Sequence, residues 1–416
     1  MQTIILAAGK CSRFWPINNS HKSNLRLLGK TILKHTIDSV NDSGIKDIIV
    51  VKSGKNNMDL PEGVTTVIQK NPLGMGDAIL CAKNEIINSF FVLNANHINV
   101  KNAIAKCIDS KEKNSSNIVL AGAKTNMPQL YGVFEFDGVF AKKIIEKPKT
   151  SPPSDIRVVG VYLLSKEFIN TLEKTEEEEY SFETALTECM KINKVPVVVL
   201  KNKDENPSLK YPWHLFDILK MLFDSNEQKT TIAKNAIISK SATIDDSKGA
   251  VIIGDNTKVM ECAVIRGPAY IGKNCLVGNN AIVRDYSNLE DNVKIGANCE
   301  IARSIIQDDV HIHSGFVGDS IIDSGTRIGA GIITANKRID RGEIIADVKG
   351  TKTNTGITGF GCVVGRNSKI GVSVKTMPGV MIGADTVIGS GTVVEKNIFD
   401  NTKYYTKFKE NIEKRG

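Results

Sequence analysis

The sequence lacks the marks of several large protein classes. Its eight cysteines, at positions 11, 81, 107, 189, 262, 275, 299 and 362, form no CxxC pair and no dense framework. This excludes a disulfide-stapled scaffold and reads as reduced thiols in a cytoplasmic protein, several of them filling core positions. No stretch approaches membrane-spanning length, so no membrane role is expected. The apolar start, residues 2–8, is too short for a signal peptide and has no basic leader. Basic residues outnumber acidic ones 54 to 46, a net charge of +8. No Arg/Lys stripe with interleaved aromatics marks a nucleic-acid face, and the mild excess suits phosphorylated small substrates. The 416 residues leave room for about two or three domains with buried cores.

What the sequence has in quantity is a period of six. An aliphatic residue returns at Ile253, Val259, Ile265, Ile271, Val277, Val283, Leu289, Ile295 and Ile301, with small and turn-forming residues between. A helix repeats at about 3.6 residues and a strand at 2, so neither explains the pattern. A parallel β-helix does, because each six-residue step is one short strand and a turn, and successive coils stack their aliphatic residues into one core. The period starts at Ile232, Ile238 and Ile244. It is expected to resume as Val310, Phe316, Ile322 and Ile328, and again as Val364, Ile370, Thr376, Ile382, Ile388 and Val394. It stumbles between Ile301 and Val310 and breaks from Thr334 to about Phe360. Such interruptions map to loops on one face, where binding usually occurs.

The first half reads differently. QTIILAA, KDIIVVKS, TTVIQ and FFVLNAN are strand-like, and TILKHTIDSVNDSG and NPLGMGDAILCAKNEI between them are helix-like, the first ended by Gly44. This alternation predicts an α/β domain over residues 1–226 with a parallel, doubly wound, Rossmann-like sheet and ligands at the carboxyl ends of its strands. The first strand runs into GKCSRFWP, with Arg13 and Lys22 beyond. The junction reads either as a phosphate cradle, since backbone N–H groups reach an anion only where side chains do not intervene, or as an ordinary strand-to-loop turn. The amphipathic stretch WHLFDILKMLFDSNEQK is expected to pack one face on the sheet domain before the solenoid takes over, residues 231–400. The charged tail 401–416 would fray or cap the last coil. EKTEEEEY reads as solvated surface.

At this point a resemblance becomes specific. LAAGKCSRFWPINNSHKSNLRLLGKTIL resembles the signature loop of the sugar-1-phosphate nucleotidylyltransferases, LAAGxGxR followed by Pro, Lys and GKP. NPLGMGDAIL after Gln69, YGVFEFDG, IIEKPK, VVGVYLLS and YPWHLFDILKMLF resemble further family segments in the family's order. With a left-handed β-helix behind them, the whole chain is similar to the bifunctional N-acetylglucosamine-1-phosphate uridylyltransferase/glucosamine-1-phosphate acetyltransferases. The resemblance implies attack of a sugar 1-phosphate on the α-phosphate of a nucleoside triphosphate, which needs charge neutralisation and in-line alignment. It assigns Arg13 and Lys22 to the triphosphate and reacting phosphate, and Leu6, Ala7, Ala8, Gly9, Gln69 and Gly74 to the nucleoside. It assigns Gly132, Glu146 and Lys147 to the sugar and its phosphate. Taken singly, each reads as a surface charge or a turn glycine. Order and spacing make the set.

Departures from the pattern bear on the metal. Cys11 replaces the second loop glycine. Asn96 stands where the family has the Asp that binds Mg2+, and Ser208 where it has the second. An amide brings a hard cation an oxygen without charge. Asp204 is near enough in sequence to substitute if the loop shifts. Losing both carboxylates would impair nucleotidyl transfer.

VHIHSGFVGDSIIDSGTRIGAGIITANKRID resembles the family's acetyltransferase segment. His313, placed outside the core, falls on the residue that takes a proton from the attacking amine, work suited to an imidazole. Phe316 stands in place of a Tyr, and Asn336 on a sugar-holding position. Gly359 stands where a Lys is expected, so acetyl-CoA phosphates would need other cations such as Lys352, Arg366 or Lys369. Flat prism faces packing three to an axis imply a homotrimer. Two functions stay open: an enzyme of activated amino-sugar synthesis, and a nucleotide-sugar-sensing or scaffold subunit in which the solenoid only drives assembly.

Overall fold

The computed structural model describes every residue except 55–56, 177, 202–203, 226–227, 410–411 and 414–416. The chain forms two compact units, Met1–Lys10 with Thr31–Ser208, and Cys11–Lys30 with Leu209–Gly416.

The first unit is built on a nine-stranded sheet. Its strands run in the order Thr65–Gln69, Asp47–Ser53, Gln2–Ala7, Phe90–Asn94, Ile156–Leu164, Val119–Lys124, Val195–Leu200, Phe140–Glu146 and Gly132–Asp137. The first four are parallel, as the alternating pattern predicts. The rest is a correction: Ile156–Leu164 lies antiparallel to both of its neighbours, so the sheet is mixed. Parallel neighbours need a crossover of a dozen or so residues. Gly132–Asp137 and Phe140–Glu146 are joined by a tight turn and can only pair antiparallel. Successive residues of the first strand serve opposite faces, Ile4 in one core cluster and Ile5 in the other, which is why the strand is a continuous apolar run. Helix Ile32–Asp42 is capped by Thr31 Oγ1, which accepts from Lys34 N at 3.1 Å, and Gly44 beyond it has φ +90.

The second unit contains three parallel sheets of short strands, eight, nine and eight in number, each coil giving one strand to each sheet. This is the parallel β-helix that the period of six predicts, with the left hand that the resemblance implies. The registers Ile253 to Ile271 to Leu289, Val259 to Val277 to Ile295, and Ile265 to Val283 to Ile301 stack the aliphatic residues inward. These residues are almost fully buried in one cluster. Corners are turned by residues at positive φ, often Asn or Asp (Asn256, Asn274, Asn280, Asn292, Asn298), which tolerate that region.

The stumble after Ile301 changes the inward series. Ile301 stacks on Val317, two positions short of a full coil, and Ile295 on Ile312. The inward residues are therefore Ile306, Ile312, Val317, Ile322 and Ile328, and Phe316 does not belong with them. Phe316 pairs with Glu300 and Ile333, residues on the outer surface. A shift of one position turns a strand residue from the core to the other face. Val310 is buried two places ahead of Ile312. The later series, Val364 to Val394, is inward as expected. The break after Thr334 is filled by an antiparallel hairpin, Ile345–Val348 with Thr351–Asn354.

Three segments sit elsewhere than the sequence suggests. Residues 11–30 and 209–225 belong to the solenoid's unit, so its contacts begin well before position 231. The helix Leu215–Ser225 with its preceding turn packs on the solenoid: Trp213 and Phe216 meet Phe360 with ring centroids 5.8 and 6.3 Å apart, and Phe223 meets Tyr286 at 5.8 Å. Lys403–Tyr404 is a strand on Val387–Ile388, so the tail begins by extending a sheet and caps the last coil there. EKTEEEEY is largely exposed among its described residues, and Glu173 pairs with Lys83 at 2.9 Å.

Candidate functional site

In the first unit Leu6–Gly9 and Gln69 lie at carboxyl ends of parallel strands, while Gly132, Glu146 and Lys147 lie on the antiparallel pair at the other edge of the sheet. Leu6 is in register with Asn94, and Leu6 O accepts from Ala95 N at 3.2 Å, which places Ala7, Ala8 and exposed Gly9 next to the turn that carries Asn96. Gln69 ends the edge strand, buried, with Nε2 donating to Gly74 O at 3.2 Å and to Asp77 Oδ2 at 2.5 Å. Gly74 has φ +109, and a Cβ there would lie 2.5 Å from Glu179 O, so only glycine fits. Gly132 pairs with Glu146, whose carboxylate lies where a Cβ on Gly132 would be. Lys147 follows at φ +44 and donates its N–H to Tyr131 O at 3.0 Å.

Sequence reasoning missed Glu183 and Tyr162 near this end. Burial pushes the Glu183 carboxyl up, and Glu146 and Glu179 add to the effect. Burial also raises Tyr162, with Glu183 and Glu146 contributing. No spacing signal joined the helix Ser181–Ile192 to the strand Phe140–Glu146, because only the packing of the helix on that strand brings the carboxylates together.

The metal positions do not fit a carboxylate clamp. Asn96 is buried, and its Nδ2 donates to Pro207 O at 3.2 Å. Ser208 is exposed. Asp204, the candidate substitute, is buried at 2% exposure and held by Lys106 Nζ at 2.5 Å and Asn102 Nδ2 at 3.0 Å, both on the helix Lys101–Asn114. Among the described residues no group of three His, Cys, Asp or Glu side chains could hold a metal ion. A Mg2+ ion here would find one neutral amide oxygen, against its preference for carboxylates.

In the second unit, Arg13 is exposed on the turn Ser12–Phe14. Lys22 is half-buried, its Nζ donating to Leu209 O at 2.6 Å. Burial presses its pKa below the usual lysine range; the thiol of Cys11 works against this, and Arg13 and Lys210 add to it. Cys11 takes the left-handed conformation at φ +49 that a glycine would adopt without cost. Its Sγ accepts from Lys22 N at 3.5 Å, and burial raises the thiol pKa.

His313 is exposed on a groove of about 500 Å³ whose polar lining is Lys294, His311, Arg327 and Lys369. Lys294, His311, Arg327 and Lys369 stand in register on four successive coils of one sheet. Coils about 4.8 Å apart make this a ladder of three cations, Lys294, Arg327 and Lys369, with an imidazole between the first two, suited to an extended anion. Burial lowers the pKa of His311, and Arg327 and Lys294 lower it further. Sequence reasoning picked out His313 and Lys369 and missed the other three, although alternation placed His311 outward two residues before His313.

Asn336 is on another face. Its amide donates to Asp319, which also receives Arg303 through Nε at 2.6 Å and a terminal nitrogen at 2.9 Å. Phe316 and Asn336 meet over Gly318, where a Cβ would lie 2.5 Å from Phe316 Cζ and 2.9 Å from Asn336 Nδ2. The chain thus joins Phe316 to Asn336, while the groove of His313 does not include Asn336. A Cβ on Gly359 would lie 3.5 Å from Asp319, so Arg303 supplies the cation beside this carboxylate. Lys352 pairs with Asp347 at 3.4 Å on the hairpin, and Arg366 lies near Asp323.

Comparison with known proteins bears on both halves. The Nucleotidyl transferase family model matches residues 2–205, and the Bacterial transferase hexapeptide (six repeats) model matches 250–285 and 361–396. The bifunctional sugar-1-phosphate nucleotidylyltransferase/acetyltransferase of Sulfurisphaera tokodaii is 31% identical over 418 residues, covering 96% of this chain and 98% of that protein. This chain belongs to that bifunctional family. The bifunctional protein GlmU of Methanococcus maripaludis strain C5 is 31% identical, and that of Methanocaldococcus jannaschii 30%, each match covering 98% of both chains. The family is one of nucleotidyl- and acetyltransferring enzymes. Among solved structures, a UDP-glucose pyrophosphorylase from Acinetobacter baumannii matches with a TM-score of 0.47 and 19% identity, over 53% of this chain and 92% of that one. No helix among the described residues is long and apolar enough to cross a membrane.

Proposed function

We propose that the solenoid half acetylates an amino-sugar 1-phosphate with acetyl-CoA, and that the sheet half binds a nucleoside triphosphate and a sugar 1-phosphate but transfers the nucleotidyl group slowly. The observation that carries this reading is the contrast between the halves. His313 faces a groove with three cations in its lining, whereas Asn96 is a neutral amide that donates to Pro207 O and Asp204 is committed to Lys106 and Asn102.

In the solenoid, His313 takes a proton from the sugar amine as the amine attacks the thioester carbon, and the thiol of coenzyme A leaves. Lys294, Arg327 and Lys369 hold the phosphates of the donor, with Lys369 the best placed of the cations suggested by sequence. Asn336 and Phe316 hold the sugar. Because they lie on a different face from His313, the reading includes a homotrimer in which one subunit's groove is completed by its neighbour.

In the sheet half, Leu6, Ala7, Ala8, Gly9, Gln69 and Gly74 hold the nucleoside and Gly132, Glu146 and Lys147 the sugar phosphate; Arg13 and Lys22, on the segment grouped with the solenoid, hold the triphosphate. No step is assigned to Mg2+. Eight free thiols support a reducing, cytoplasmic setting. A second reading, a nucleotide-sugar sensor, is favoured by the same metal-site departures and predicts binding with no transfer in either half.

The test is a thiol-release assay with acetyl-CoA and glucosamine 1-phosphate or galactosamine 1-phosphate, run beside pyrophosphate release with the four nucleoside triphosphates. Thiol release that disappears in His313→Ala, at least a hundredfold by the usual worth of a general base, supports the proposal. Thiol release that survives the substitution removes His313 from the chemistry, and robust pyrophosphate release overturns the account of the sheet half.

A further inference from the structure

The segment carrying Arg13 and Lys22 is moored to the solenoid by charge. Arg26 reaches Asp308 Oδ1 at 2.7 Å, Asp291 Oδ2 at 2.9 Å and Glu290 Oε2 at 3.4 Å, contacts on two successive coils. The backbone is held as firmly. Arg26 N donates to Gln307 Oε1 at 3.1 Å and Gln307 Nε2 donates to Arg26 O at 2.9 Å. Leu28 N donates to Asn288 Oδ1 at 2.8 Å and Gly29 N to Glu290 Oε1 at 3.3 Å. Gly29, at φ +79, lies so near Tyr270 that a Cβ would be 2.4 Å from its hydroxyl.

These contacts begin four residues after Lys22. Between them Ser23 and Leu25 are buried, so no slack separates the mooring from the cation. Upstream, Trp15 Nε1 donates to Asp400 Oδ1 at 3.1 Å. A lysine ammonium is a point charge on a flexible stem, and its worth to a phosphate depends on a backbone that is already in place. Solenoid carboxylates therefore hold in place the backbone that carries Lys22.

We propose that Arg26 is a positioning residue for nucleotide binding, and that Glu290, Asp291 and Asp308 of the β-helix set the placement of Lys22 through it. The inference rests on the reading above that Lys22 meets the triphosphate. Its consequence is that these solenoid carboxylates are required for triphosphate affinity at Lys22, independently of acetyl transfer.

The experiment measures binding of inorganic triphosphate, which carries no base, to the full-length protein by calorimetry. Wild type, Lys22→Ala, Arg26→Gln, Arg26→Lys and the pair Asp291→Asn/Asp308→Asn are compared, with circular dichroism and melting as controls on folding. Arg26→Gln and the double variant should bind about tenfold more weakly while remaining folded. Arg26→Lys should recover part of the affinity, because charge returns without the planar fork. If wild type and Lys22→Ala bind equally, the reading of Lys22 fails. If Lys22→Ala loses affinity and the folded Arg26 and double variants do not, the mooring has no role in binding and the proposal is overturned. Should Arg26→Gln unfold, the double variant, which keeps Arg26 and removes two of its partners, decides alone.

Discussion

Replacing Glu290 by Gln should stabilise the protein at alkaline pH, against the expectation that breaking a salt bridge destabilises. Glu290 is fully buried, and although Arg26 is near, its Oε2 makes no hydrogen bond. Burial pushes its pKa from the ordinary 4.5 up to about 7, with Asn288, Arg26 and the Gly29 N–H pulling the other way. The folded state thus binds this proton more tightly than the unfolded chain. Stability falls as pH rises from the unfolded value to about 7 and levels off above it. At about 1.4 kcal/mol per unit, the ionised form costs roughly 3 kcal/mol. Gln keeps the oxygen that accepts from Asn288 Nδ2 at 3.0 Å and carries no charge. Its amide would face the Arg26 Nε, a loss of about 1 kcal/mol. Arg26 retains Asp291 and Asp308, which outweigh its own burial and hold its pKa above the usual value together with Glu290. The net gain at pH 8 is about 1–2 kcal/mol, disappearing or reversing near pH 5, where wild-type Glu290 is protonated in the fold. Melting of the two proteins from pH 5 to 8 tests this. A variant that melts below wild type at pH 8, or by a difference that does not change with pH, refutes the reasoning and means the buried carboxylate is stabilised by Arg26.

Other substitutions test other parts of the account. Asn96→Asp with Ser208→Asp should make Mg2+ raise the melting temperature, which it should not do in wild type, and should raise pyrophosphate release about a hundredfold or more. Without the ion, the carboxylate introduced at position 96 faces Pro207 O in place of the amide and should cost about 1 kcal/mol. Asp204→Ala should destabilise by about 1–2 kcal/mol in denaturant melts; the full penalty of a buried pair does not apply, because Lys106 is 39% exposed and can turn to water. Gly74→Ala should cost about 1–3 kcal/mol in the same melts and weaken nucleotide binding, since Glu179 and the helix Met75–Cys81 must separate to admit a Cβ.

Much of this protein is legible in its sequence because its periods are set by local geometry. Ile253 to Ile301 each land in the core, and so do Val364 to Val394, since every coil repeats the same strand and corner. The four parallel strands of the sheet and the glycines Gly44 and Gly74 follow from local patterning in the same way. The sequence also marked His313 as a residue outside the core. It misplaced Phe316 because the coils after Ile301 are shorter, and the register between coils is decided by stacking partners and not by counting along the chain.

Tertiary structure alone decided three further matters. Asp204 lies near the metal position in sequence, but the helix Lys101–Asn114 claims it, since a buried carboxylate goes to the nearest cation that can offset its desolvation. His311, Arg327 and Lys294 join His313 because stacked coils bring residues more than a dozen positions apart to neighbouring rungs. Residues 11–30 belong with the solenoid because Arg26 finds carboxylates hundreds of residues away in the chain. Local periods fix which residues turn inward within each element, whereas ion pairs and outward ladders depend on distances that exist only once the elements have packed.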